Sequence, residues 1–285
     1  MIQREDKRST DLLPLAASFF FGVVYIKNYN GFMDDLFWCI SYLKKYNKIE
    51  DDLPPTEETL RALMNITMPQ DLGEDFYLAQ DRVLSGIRER REIVDVDDLM
   101  PFEPHLYLYK GDITCLKADA IVNACNERLL GCFIPLHHCI DNAIHSFAGL
   151  QVRRDLIKVM EAQGYDEPSG KAKITKGYNL PSSYILHTVG PQVGGRVSPQ
   201  DEEDLSNCYL SCLRLADSHQ LKSVAFCSIS TGIYGYPIEK AAKVALNAVR
   251  KYMETENKNI EKVVFNVFSE NDYEVYFRSI KEAYR

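Results

Sequence analysis

The sequence predicts an α/β domain with a largely parallel sheet, preceded by a small helical layer. Two patterns carry that expectation. From Leu106 onward, short β-branched or aromatic runs alternate with amphipathic helical stretches, whereas before it apolar residues recur at helical spacing. Strand and helix alternating along a chain is the pattern of a parallel sheet covered on both faces. Length agrees: 285 residues can bury a substantial core in one domain plus an appendage.

Taken in order, the first element is an apolar run of 15 residues, Leu12 to Ile26, interrupted by Pro14 and Gly22. A membrane-spanning helix needs roughly 20 apolar residues. The flanking residues mix Arg4, Lys7 and Arg8 with Glu5 and Asp11, unlike the clean positive start of a signal peptide. The expectation is a packed extension, or translation starting at Met33 with residues 1–32 non-native or loosely packed, rather than a membrane anchor. Leu36, Phe37, Ile40, Leu43 and Tyr46 then mark a helix over Asp34–Tyr46. Pro54-Pro55 breaks the chain, and Thr56 is placed to N-cap a helix through Ile66. A third helix, from Asp75 to about Arg91, carries Phe76, Val83, Leu84 and Ile87 along one face. Residues 1–100 therefore read as a helical N-terminal extension without strands, and 101–285 as the α/β domain.

In that domain Leu106–Tyr109, Ala120–Asn123, Tyr184–Val189, Val224–Ile229 and Val263–Phe268 are predicted as strands. Helices are predicted near Asp141–Gln163, Glu202–Ser218 and Ile238–Met253. Ligands of such sheets gather at the carboxyl ends of the strands. A net charge of −8 argues against a general nucleic-acid binder, which needs a basic surface. Of the eight cysteines, Cys115, Cys125, Cys208, Cys212 and Cys227 fall in apolar stretches, where the thiol packs as a small hydrophobe.

The other chemistry-bearing cysteines are Cys132 and Cys139. With His137 they form a C-x4-H-x-C cluster on a short loop stiffened by Pro135. Three ligands of this softness, without a fourth, match a zinc site that keeps one position open. His138 is the runner-up ligand, although an extended backbone points it away from His137. His145 reads as a residue that caps or packs within the following helix. Thiolate ligands must stay reduced, which points to the cytoplasm.

Six blocks lie at the predicted strand ends. They are Gly111-Asp112-Ile113-Thr114, Asp119 to Asn126, Leu129-Leu130-Gly131, Gly170 to Pro181, His187-Thr188-Val189-Gly190-Pro191, and Ser230 to Pro237. Within the last, Ser230-Thr231-Gly232-Ile233-Tyr234-Gly235 joins a buried strand to a helix, where successive N–H groups can cradle an anion. No P-loop lysine accompanies it. In content and order the blocks resemble the macrodomain family, the ADP-ribose-binding module, over about residues 105–280. Where many macrodomain hydrolases carry a glycine run followed by Val-Asp-Gly, this chain has the Cys132–Cys139 loop followed by Ile140-Asp141-Asn142. In that respect it resembles the zinc-containing, protein-ADP-ribosylhydrolase branch, found in microbes beside a sirtuin-like transferase.

The resemblance implies a three-layer α/β/α macrodomain with a mixed, largely parallel sheet, one zinc ion per chain, and removal of mono-ADP-ribose from proteins. It implies that Asp112 and Ile113 hold adenine, that Ser230, Thr231, Gly232, Ile233 and Tyr234 cradle the diphosphate, and that Asn126 holds the distal ribose. Some residues keep two readings. Asp112 is also a common turn residue, and Phe268 either stacks on adenine or packs in the core. Asp141 is either the base that positions and deprotonates water or a helix N-cap. Asn123 reads as structural, its side chain completing backbone hydrogen bonds at the strand end. Two rival functions remain open. One is an ADP-ribose reader with a structural zinc, which predicts a fourth ligand from His138 or Cys125. The other is a hydrolase of O-acetyl-ADP-ribose.

Overall fold

The computed structural model describes residues 15–283, with side chains from residue 31 onward. Leu12 to Pro14 of the apolar run, everything before them, and the side chains through residue 30 lie outside that description. Three helices come first: α1 (Leu15–Asn47), α2 (Glu57–Ile66) and α3 (Glu74–Glu89). Helix α1 runs straight through Gly22. A helical glycine costs only about 1 kcal/mol relative to alanine, too little to end a helix by itself. Thr56 caps α2 as its sequence predicts, its Oγ1 accepting from the Thr59 N–H at 3.1 Å. Leu36, Leu43, Leu60, Leu63, Phe76 and Val83 form the centre of a small core, which Leu150 joins from the later chain.

The expectation of no strand in the first hundred residues is corrected at one point. β1 (Val94–Asp95) pairs parallel with β3 (Leu116–Lys117), tying the end of the helical segment to the sheet domain. The main sheet has six strands: β2 (Leu106–Lys110), β4 (Ala120–Ala124), β5 (Ala172–Lys176), β6 (Tyr184–Thr188), β7 (Ser223–Phe226) and β8 (Lys262–Val267). Their order is β2-β8-β7-β4-β6-β5, all parallel except β5, which runs antiparallel to β6. β5 lay within a motif block and was not predicted as a strand. Its direction follows from its connection: the short loop 177–183, closed by Gly177 N–H donating to Ser183 O at 2.7 Å, is too short for a crossover and so joins antiparallel neighbours.

The helices are α4 (Ile140–Ala148), α5 (Gln151–Gln163), α6 (Pro199–Ser218), α7 (Ile238–Thr255) and α8 (Glu270–Ala283). The single helix predicted over Asp141–Gln163 is broken at Gly149, which has φ +104. A Cβ there would lie 2.6 Å from Gln151 Oε1 and from Gln80 Nε2, so glycine is required and α5 leaves in a new direction. Helix α8 was missed, although Val275, Tyr276, Ser279 and Ile280 do face the core. Among the described residues, no helix is long and apolar enough to cross a membrane. The parallel strands β2, β8, β7 and β4 all end on one edge. They deliver to it the segments starting at Gly111, Phe268, Cys227 and Cys125.

Candidate functional site

The loop after β4 is shaped by left-handed residues at Leu129 (φ +60), Gly131 (φ +85) and Leu136 (φ +56). It brings the Cys132 and Cys139 thiols and one nitrogen of His137 within 4.8 Å of one another. Cys132 Sγ lies 3.6 Å from His137 Nδ1, close to the roughly 3.5 Å that separates sulfur and nitrogen ligands on a tetrahedral zinc. Burial pushes the Cys139 thiol well above its ordinary pKa, with Cys132 and Asp141 adding to the effect. Two thiols and an imidazole gathered at this spacing fit zinc, and a bound cation would ionise the thiols against that burial. His138 is exposed and turns the other way, lining a cavity of about 330 Å³ with Leu60, Met64 and Phe147. Cys125 is buried under the sheet edge, its Sγ donating to Thr188 O at 3.3 Å. Neither joins the cluster among the described residues.

Cys139, not Asp141, is the N-cap of α4: its Sγ accepts from the Asn142 N–H at 3.4 Å. That frees Asp141 from the cap role. It sits in the first turn, buried, with Oδ1 accepting from Asn123 Nδ2 at 2.8 Å and lying 3.4 Å from His145 Nε2. Burial raises this carboxyl to about 6, opposed by the Asn123 hydrogen bond and the Arg153 charge. His145 is buried, and neither ring nitrogen makes a hydrogen bond, although Nε2 approaches Asp141. Burial, then the Arg153 charge, hold its pKa far down.

Asn123 does something other than the strand-end role predicted for it. On β4 it pairs in register with His187 on β6. Its amide nitrogen faces both Asp141 and, at 3.3 Å, His187 Nδ1. Burial lowers His187 to about 3, so the ring is neutral. Its Nδ1 accepts from Asn123, leaving Nε2–H to donate to Thr175 Oγ1 at 2.9 Å. A buried chain Thr175–His187–Asn123–Asp141 results. Neither Thr175 nor His187 was singled out from sequence, although both lie in quoted blocks.

Across the edge, Asp112 is a turn residue and more. Its Oδ1 accepts from Thr114 N–H at 2.9 Å and Thr114 Oγ1 at 2.7 Å, while its Oδ2 pairs with Arg91 at 2.7 Å. Ile113 is 1% exposed as a whole residue, so neither its side chain nor its backbone lies open to a ligand, and its carbonyl accepts from the Leu116 N–H. Between β7 and α7, Ser230 (φ +66) and Tyr236 close the loop, Tyr236 N–H donating to Ser230 O at 3.0 Å. A Cβ on Gly190 would lie 2.0 Å from Ser230 Oγ, so this loop needs glycine beneath it. Thr231 donates to Ser228 O, Gly232 has open space above its Cα, and Ile233 is 73% exposed. The Tyr234 phenol is raised by burial and then by Glu127, Cys125 and Asp141.

Phe268 lies one residue past β8 and is 80% exposed, which removes the core reading. Asn126 folds its own loop, accepting from Arg128 N–H at 3.0 Å and donating to Gly131 O at 3.3 Å, next to Cys132. Sequence reasoning missed Arg153 entirely. Its guanidinium is buried and donates through Nη1 to the carbonyls of Met64, Asn65 and Thr67 at 3.1, 3.1 and 2.5 Å. It also lies over the Phe133 ring, 4.2 Å from the centroid. Burial lowers Arg153 to about 10, with Asp141 and Cys132 opposing, so it remains a cation at neutral pH.

The Macro domain family model matches residues 122–245. A Staphylococcus aureus protein named protein-ADP-ribose hydrolase is 46% identical over 229 residues, which is 80% of this chain and 84% of that protein. Two solved structures superpose on it. The Trypanosoma brucei macrodomain in complex with ADP-ribose is 32% identical with a TM-score of 0.60, covering 81% of this chain and 97% of that one. The Oceanobacillus iheyensis macrodomain with ADP is 38% identical with a TM-score of 0.57, covering 63% and 91%. Most of the motif blocks reach the sheet edge where the parallel strands end, whereas Gly177–Pro181 lies at the opposite end because β5 is antiparallel. The likeness to the staphylococcal protein spans most of both chains. The chain belongs to the Macro domain family.

Proposed function

We propose that this chain is a zinc-dependent protein-ADP-ribosylhydrolase that removes mono-ADP-ribose from modified protein side chains. The observation that carries the reading is the Cys132–His137–Cys139 cluster on the loop that leads into the buried Asp141. The name of the staphylococcal relative supports the reaction, and the ADP-ribose and ADP in the two solved structures support the ligand. Helices of residues 1–100 belong to the same working unit as the macrodomain of 101–285. The two thiol ligands have to stay reduced, which favours a cytoplasmic setting.

In this reading Asp112 holds the adenine, with Phe268 stacked on it. The loop of Ser230, Thr231, Gly232, Ile233 and Tyr234 surrounds the diphosphate with N–H groups, and Asn126 holds the distal ribose hydroxyls. Cys132, His137 and Cys139 would hold the zinc ion, which would supply Lewis-acid chemistry when bound. Asp141 takes a proton from the attacking water. The water oxygen bonds to ribose C1 as the bond from C1 to the protein side chain breaks, and the proton passes to the departing side chain. Asn123 holds the Asp141 carboxylate throughout. The reader alternative needs a fourth protein ligand, and among the described residues the cluster has three.

The test is zinc content and turnover on one sample. One zinc per chain, with release of ADP-ribose from a mono-ADP-ribosylated protein abolished by chelation, is the expected result. Zinc with tight ADP-ribose binding and no release would make the chain a reader. Release from O-acetyl-ADP-ribose alone would move the activity to the small ester.

A further inference from the structure

Arg61 and Asn65 stand four residues apart on α2, hence on one face of the helix. That face lies against the cluster loop and the start of α4. Asn65 Oδ1 accepts from the Leu136 N–H at 2.9 Å, and its Nδ2 donates to Ser146 Oγ at 3.0 Å. Arg61 Nη2 donates to Asn142 Oδ1 at 2.9 Å and to His137 O at 3.4 Å. Asn142 passes the contact on: its Nδ2 donates to Ile134 O at 3.0 Å and its backbone N–H to Cys139 Sγ. Two side chains of one helix therefore hold the loop at Ile134, Leu136 and His137, and reach a ligand sulfur through one intermediary.

The residue held by Asn65 is the one that needs holding. Leu136 has φ +56, a left-handed conformation that a non-glycine residue keeps only when its surroundings impose it. It directly precedes His137, so its backbone turn decides whether that imidazole faces Cys132 and Cys139 or turns away. Pro135 restrains the loop on one side of Leu136, but the sequence around it offers no glycine that would adopt the turn unaided.

We propose that Arg61 and Asn65 are positioning residues for the metal-binding loop, making the N-terminal helical layer a working part of the site. The inference rests on the zinc reading above and adds to it residues that touch neither substrate nor metal. Partners one step removed from metal ligands are commonly worth 10- to 100-fold in affinity, because they fix the ligand's orientation before the metal arrives.

The experiment measures zinc affinity of the full chain by competition with a chromophoric chelator, together with the Co²⁺ charge-transfer spectrum, ADP-ribose affinity and turnover. N65A and R61A are compared with S146A, which removes the other partner of Asn65 Nδ2 and a hydroxyl bonded to Asn142 O, while the Asn65–Leu136 and Arg61–His137 contacts stay in place. Expected are roughly 10- to 100-fold weaker zinc binding and a shifted Co²⁺ spectrum in N65A, a smaller effect of the same kind in R61A, and near-normal zinc binding in S146A. With saturating zinc, kcat falls in N65A while KM changes little. Lower thermal stability in N65A with wild-type zinc affinity and spectrum would overturn the inference, leaving a purely structural contact. If N65A fails to fold, R61A decides by the same readouts, Arg61 being less buried. A wild-type chain that takes up no zinc would instead overturn the zinc reading itself, and this inference with it.

Discussion

Asn123 Nδ2 donates to Asp141 Oδ1 at 2.8 Å, joining the end of a central strand to the first turn of the helix beside the metal loop. The carboxylate is thereby aimed by the sheet as well as by its own helix. Losing a hydrogen bond to a charged group costs about 1.5–3 kcal/mol. N123A is expected to lower kcat about 10- to 100-fold with KM within threefold, read by steady-state release of ADP-ribose. Unchanged kcat would remove Asn123 from the mechanism.

Metal and proton transfer separate by mutation. C132A is expected to lose both bound zinc and turnover, because two remaining ligands rarely hold the ion. D141A should keep one zinc per chain and lose turnover by at least about 100-fold, the usual scale of a general base. Elemental analysis and activity on the same preparations check both. Normal hydrolysis by the C132A protein would show that the zinc mechanism is wrong.

Phe268 is exposed on the sheet edge, so F268A should leave the fold almost untouched, within about 0.5 kcal/mol in a urea titration. If the ring stacks on adenine, ADP-ribose affinity should fall by about 1–3 kcal/mol, roughly 5- to 150-fold, by calorimetry. Equal affinities would assign the ring to some other purpose.

His187 gives the fold an acid sensitivity whose sign is fixed by its burial. Its pKa is about 3 in the folded chain and about 6.5 when unfolded. Between those values the unfolded chain binds the extra proton, so stability is present above the unfolded pKa and declines as pH falls below it. The contribution amounts to about 2 kcal/mol lost by pH 5. Urea midpoints at pH 5 and pH 7.5 should show this loss in the wild type and show it reduced by about that amount in H187N. Parallel losses in both proteins would refute it.

The sequence carried the sheet well wherever a strand was buried on both faces, as at Ala120–Asn123 and Tyr184–Thr188, because such strands read as continuous apolar runs. It failed at β5, whose half-buried residues give a weak pattern, and at Gly149, where one glycine in a helical stretch does not announce a change of direction. The cluster of Cys132, His137 and Cys139 was legible because its members are sequence neighbours. Asn123, Arg153, Arg61 and Asn65 act on partners 18 to 89 positions away. No spacing rule registers such contacts; only the fold creates them.

The buried Arg153 guanidinium grips α2 by main-chain carbonyls alone, those of Met64, Asn65 and Thr67. Every amino acid has a carbonyl, so this grip does not depend on which side chains occupy the three positions. It depends on where the helix stops. Adding or deleting one residue within α2 would rotate its end by about 100° and swing the carbonyls away from the cation. At this junction the length of a helix is specified more strictly than its spelling.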